Sequence, residues 1–194
     1  MALAVVCGTA QAGTVNLVTN GSFEQGALSI GSFQGWQTNL GDISTFVDSN
    51  GTTGTLYGDA TDGLWSAFFG STAADGGASI SQSLVTTPGQ MYTLSFDLAN
   101  DNGGLAPVNE LDVVVGAVTA FDFTDLPDQN YVHEQYSFVA SGNSTLLEFS
   151  GSNDQSYFDL DNVAVAAAPE PSALALGGIA ALLSCAALRR LKQA

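Results

Sequence analysis

Basic side chains are almost absent from this 194-residue sequence, and the three that occur stand together at its end: Arg189, Arg190 and Lys192. From Gly13 to Ala168 no Lys or Arg accompanies eighteen Asp and Glu, and His133 is the single histidine. A body charged in this way is repelled by nucleic acid and by anionic membrane surfaces. Its carboxylates have no Lys or Arg to pair with. They must be solvated, hydrogen-bonded or neutralised by a cation, and oxygen ligands of this kind suit a hard divalent metal. Cysteine is nearly missing as well. Cys7 and Cys185 both lie in terminal apolar segments, so no disulfide is expected inside the body. A cysteine-free body rich in Gly, Ser, Thr and Asn suits export from a bacterium.

The same absences bear on catalysis. With one histidine and no Lys or Cys in the body, Cys–His and lysine nucleophile schemes are unavailable. No G-x-S-x-G elbow accompanies His133, and neither a phosphate-cradling glycine loop nor a Cys/His metal cluster occurs. A glycosidase pair does not stand out among the eighteen acids. A protein that is not an enzyme is expected.

What is present is strands and turns, with no amphipathic helix in the body. Met91 to Leu98 is the clearest strand: Tyr92, Leu94, Phe96 and Leu98 fall on one face, Thr93, Ser95 and Asp97 on the other. Further strands are predicted near 15–18, 44–47, 64–69, 78–85, 111–118, 131–139, 144–150 and 157–165. Asn20-Gly21, Asn50-Gly51, Gly76-Gly77, Pro88-Gly89, Asn102-Gly103-Gly104 and Ser141-Gly142-Asn143 supply the turns between them. Short strands at this spacing predict an all-β, two-sheet sandwich or jelly roll. In the last segment, YFDLDNVAV, the apolar positions are even through Leu160 and odd from Val163. A period of two does not survive that slip without a bulge near Asp161-Asn162, unless the strand simply ends at Leu160.

Several separated pieces carry a family resemblance. NLVTNGSFEQG, then Gly35-Trp36, ATDGLWSAFFG, Gln82-Ser83-Leu84 before Pro88-Gly89-Gln90, MYTLSFDLA and YFDLDNVAVA occur in this order. Together they resemble the galactose-binding-like jelly-roll carbohydrate-binding modules over residues 14–166. The resemblance implies that the first and last strands lie side by side with a structural calcium ion where they meet. Its implied ligands are Glu24, Asp62 and Asp161, with main-chain carbonyls near Ser22 and Leu64. The alternative is that Glu24 and Asp62 are solvated turn residues and Asp161 caps a bulge.

In such modules aromatic rings stack on sugar faces while amides and carboxylates read hydroxyls. Trp65, Tyr57, Tyr131 and His133 are the candidate ligand contacts. Trp36 occupies the family's core-packing position and is expected to be buried, and Trp65 fits core or platform equally.

The two ends read as addresses. Residues 1–12 offer a short apolar run and an A-x-A site before Gly13, as in a signal peptide whose basic start lies upstream. The domain is expected over 13–166. The tail, 167–194, joins Pro169-Glu170-Pro171 to an apolar run over 172–188 and then to Arg189 and Arg190. Seventeen residues, with only Ser172, Ser184 and two Gly as interruptions, are the short end of a membrane span, and the basic cluster points its end to the cytoplasm. In that order the parts resemble the PEP-CTERM sorting signal. This implies recognition by an exosortase-type membrane protease, transient anchoring in the inner membrane of a Gram-negative bacterium, and a final place at the cell surface or in an exopolysaccharide matrix. The expected protein is a calcium-stabilised, carbohydrate-binding-like module with a polysaccharide ligand. The alternative is a structural matrix protein of the same fold without glycan specificity.

Overall fold

The computed structural model describes residues 15–25, 33–41, 45–49, 60–154 and 156–168. The expected signal peptide, Tyr57, Pro169, Glu170, Pro171, the 172–188 run, Arg189 and Arg190 lie outside them. Among the described residues no helix is long and apolar enough to cross a membrane.

The strands run β1 (Gln37–Asn39), β2 (Thr45–Ser49), β3 (Trp65–Phe69), β4 (Ala78–Val85), β5 (Met91–Asp101), β6 (Asn109–Val115), β7 (Val118–Thr124), β8 (Gln129–Val139), β9 (Ser144–Asn153) and β10 (Tyr157–Ala167). They form two five-stranded sheets. The first has the order β1-β4-β9-β6-β7 and the second β2-β3-β10-β5-β8, with antiparallel pairing throughout. The expected two-sheet sandwich is the observed one.

Alternation decides the two faces of each strand. Leu94, Phe96 and Leu98 of β5, Phe158 and Leu160 of β10, and Ile80, Leu111, Val113, Leu147 and Phe149 of the first sheet fill the space between the sheets. Phe149 bridges two aromatic groups there, edge-on to Phe96 at 5.3 Å and to Trp36 at 6.2 Å. Trp36 is buried, stacks on Phe23 and donates its Nε1–H to the Asn20 carbonyl. One end of the sandwich is closed by amides instead. Buried Asn100, Asn102 and Asn109 all donate to the Leu126 carbonyl, and Asn153 donates to Asn100 Oδ1. Each polar atom buried there needs such a partner.

Two local readings are corrected. Residues 111–118 are not one strand. The chain turns over Gly116-Ala117, with Gly116 at φ 66°, and returns as β7. The Val15–Val18 segment follows β10 without being a strand. Asn16 takes the place of ladder bonds, accepting from Val18 and Val165 amides and donating to the Val163 carbonyl. Only Leu17 N–H makes a backbone bond there, to Val165 at 2.8 Å. The short strand β1 is polar and exposed throughout and carries no periodic signal in the sequence.

Candidate functional site

The bulge in β10 organises the outer face of the second sheet. Asp161 is in register with Asp97 of β5, but the next paired residue is Ala164, opposite Ser95. Asn162 absorbs the extra residue at φ 52°, a conformation Asn adopts more readily than branched residues. Both halves of the strand thereby keep their apolar side chains inward. Before the bulge, Asp159 and Asp161 point to the outer face. Asp97, Ala99 and Asp101 of β5 and Tyr131, His133 and Gln135 of β8 share that face through the β5–β8 register.

Asp97 is its centre. Its Oδ1 lies 2.6 Å from His133 Nδ1, and its Oδ2 accepts from Thr61 Oγ1 at 2.6 Å and Asn162 Nδ2 at 3.1 Å. Burial alone would raise this carboxyl, but the bonds from Thr61, His133 and Asn162 outweigh it and hold Asp97 below its ordinary value. An ionised Asp97 makes the His133 Nδ1 a donor, so in the neutral ring Nε2 accepts from Gln135 Nε2 at 3.0 Å. The chain Gln135–His133–Asp97 is fixed at the buried end and open at the other, where the His133 side chain is 49% exposed.

Tyr131 closes the deeper part of the face. Its hydroxyl bonds the Ser66 side chain on β3, although β10 and β5 lie between the two strands. The ring therefore reaches across the sheet above Asp159 and Asp161. Burial first, and then the charges of Asp159, Asp161 and Asp97, push the phenol well above its ordinary value. Burial and the neighbouring Asp101 raise Asp159 to about 8. Burial also raises Asp161 to about 6 against the amides that bond it.

Two of the residues assigned to calcium by resemblance, Glu24 and Asp161, accept backbone N–H groups of the loop 61–65. Glu24 Oε1 accepts the backbone N–H groups of Leu64 and Trp65 at 2.6 and 2.7 Å. Asp161 Oδ2 accepts those of Thr61 and Asp62 at 2.7 and 2.9 Å, and its Oδ1 that of Asn162. The loop 61–65 thus offers backbone donors to both carboxylates. Asp62 and Leu64 are exposed, and Ser22 sits in the turn held by Asn20. Among the described residues no three His, Cys, Asp or Glu side chains gather as a metal site.

Of the expected ligand contacts, Tyr131 and His133 come together. Trp65 packs against the core on the other side of its sheet. Asp97, Gln135, Thr61 and Asn162 were missed as site residues. Alternation placed Asp97 outward, but only the cross-strand register puts it beside His133. A separate groove of about 480 Å³ between the 115–118 turn and residues 136–145 contains none of the expected site residues.

The two sheets define an all-β jelly-roll sandwich, with Asp97, His133 and Gln135 on the outer face of the second sheet. A family model, "Protein of unknown function (DUF642)", matches residues 16–166, and the chain belongs to that family. No curated protein matches in sequence. Among solved structures, TmCBM61 in complex with β-1,4-galactotriose aligns at TM-score 0.53 and 11% identity, over 78% of this chain and 97% of that one. The CBM22-1–CBM22-2 tandem domain of Paenibacillus barcinonensis Xyn10C aligns at 0.52 and 21%, over 85% and 49%. A family 16 carbohydrate-binding module aligns at 0.50 and 16%, over 77% and 99%. These likenesses establish the fold.

Proposed function

We propose that the protein is a non-catalytic carbohydrate-binding module that holds a polysaccharide on the outer face of its second sheet. One observation carries this reading: Tyr131, His133 and Gln135 stand in a row on β8, with His133 fixed by Asp97. With both His133 nitrogens engaged, the Gln135 carboxamide is held at a fixed angle from which it reads sugar hydroxyls, and a half-buried phenol ring offers an apolar edge. The shared fold with a module solved with galactotriose supports the same reading. Export by a PEP-CTERM-type signal through an exosortase-type protease is part of the proposal. It rests on Pro169-Glu170-Pro171 and the terminal Arg189-Arg190.

A second reading, a structural matrix protein without glycan specificity, is favoured by a different observation. Among the described residues no Trp, Tyr or Phe is among the exposed large apolar side chains, so no open stacking platform faces solvent. A glycan array probed with residues 13–168 separates the two. Binding to a defined oligosaccharide class is expected, and silence across neutral, amino and acidic glycans would leave only the structural role.

A further inference from the structure

The outer face of the second sheet also holds an unmatched polar atom. Asp159 is 3% exposed, and its Oδ1 has no hydrogen-bond partner. Asp101, 6% exposed, belongs to the same face. Asp101 pairs with Tyr157 and Asp159 with Ala99, so the two carboxylates are diagonal neighbours across β5 and β10. Diagonal positions lie about 7–8 Å apart. No Lys or Arg occurs in the body, and the one His is held by Asp97. Two adjacent buried carboxylates without a counter-charge are costly.

We propose that Asp159 and Asp101 form a divalent-cation site beneath Tyr131, completed by the Ser156 hydroxyl. Ser156 Oγ is already 3.1 Å from Asp101 Oδ2, which brings a third oxygen to the pair. Carboxylate and hydroxyl ligands select a hard cation, and calcium bonds of about 2.3–2.6 Å suit two side chains at this separation. The site is separate from Glu24, Asp62 and Asp161, where loop amides face the carboxylates. It also accounts for the unpartnered oxygen, which the amide cradle does not reach. The raised value of Asp159 agrees, since the group lacks a stabilising charge.

Terbium, a luminescent calcium substitute, tests the site in the full chain, with Tyr157 opposite Asp101 as the sensitiser. Tyrosine-sensitised emission should appear with one saturable site and be displaced by calcium. Asp159→Asn closely matches a protonated Asp in shape, so its fold should be retained, while terbium affinity should fall at least about tenfold. Asp62→Asn, in the exposed loop, should bind as the wild type does. No sensitised emission up to millimolar metal would overturn the proposal. So would unchanged affinity in Asp159→Asn, or a loss confined to Asp62→Asn.

Discussion

At the scale of single residues, the buried aspartates of β10 give the protein a definite pH response. The folded-state values of Asp159, about 8, and Asp161, about 6, lie above the ordinary 3.8. The folded state therefore binds more protons than the unfolded chain across that window. In metal-free buffer these two groups contribute stability fully below about pH 4, and it is lost as pH rises toward about 8. Urea midpoints measured from pH 4 to 9 should fall across this range, and Asp159→Asn should flatten the fall. A midpoint rising steadily toward pH 8 would contradict the burial argument. Asn162 gives a second residue-scale prediction. Its left-handed backbone and its bond to Asp97 make Asn162→Val cost about 2 kcal/mol, with Asn162→Gly milder in backbone terms. Thermal melts of the pair check the order. The bulge itself was legible in the sequence, because a slip in apolar parity has no other accommodation within a continuous strand. The cluster around Asp97 was not legible, because residues 61, 97, 133 and 162 meet only once strand register is set.

At the scale of elements, the loop 61–65 and the turn 20–24 are joined through one carboxylate. Glu24→Ala removes the acceptor for Leu64 and Trp65 amides and should cost about 1–3 kcal/mol. Amide exchange at 64 and 65 should quicken more than in β5. The turn itself depends on close approach. A Cβ on Gly21 would lie 1.9 Å from the Val163 carbonyl, whose own residue donates N–H back to Gly21. Gly21→Ala should therefore lower stability by about 3 kcal/mol or more, read as a fall in the denaturant midpoint. Strands with strong alternation, such as β5 and β9, were legible from sequence. The turn into β7 was not, since Gly116-Ala117 between two valine-rich stretches lacks the Asn-Gly signature. The segment beside β10 was read as a strand because its residues suit one. Asn16 instead supplies the pairing from its side chain, which no periodicity reveals.

At the scale of the whole molecule, a body without Lys or Arg and a sandwich shared with carbohydrate-binding modules restrict what the surface can hold. Composition pointed away from nucleic acid, and strand spacing pointed to two sheets. Neither indicates which sheet carries a ligand, because both have polar outer faces. Serines 79, 81 and 83 with Glu110 and Asp112 occupy the first, and Asp97, His133 and Gln135 the second. The difference is fixation. His133 is held at both ring nitrogens, which fixes the ring and with it the Gln135 carboxamide proposed to meet a sugar hydroxyl. The most direct test compares the two faces by calorimetry, with the best oligosaccharide from the array titrated into three proteins. His133→Ala combined with Gln135→Ala should weaken binding by at least about tenfold, as expected for the loss of one or two hydrogen bonds, while Ser79→Ala on the opposite sheet binds as the wild type does. Equal binding by all three, or a loss found only in Ser79→Ala, would contradict the assignment of the glycan to this face.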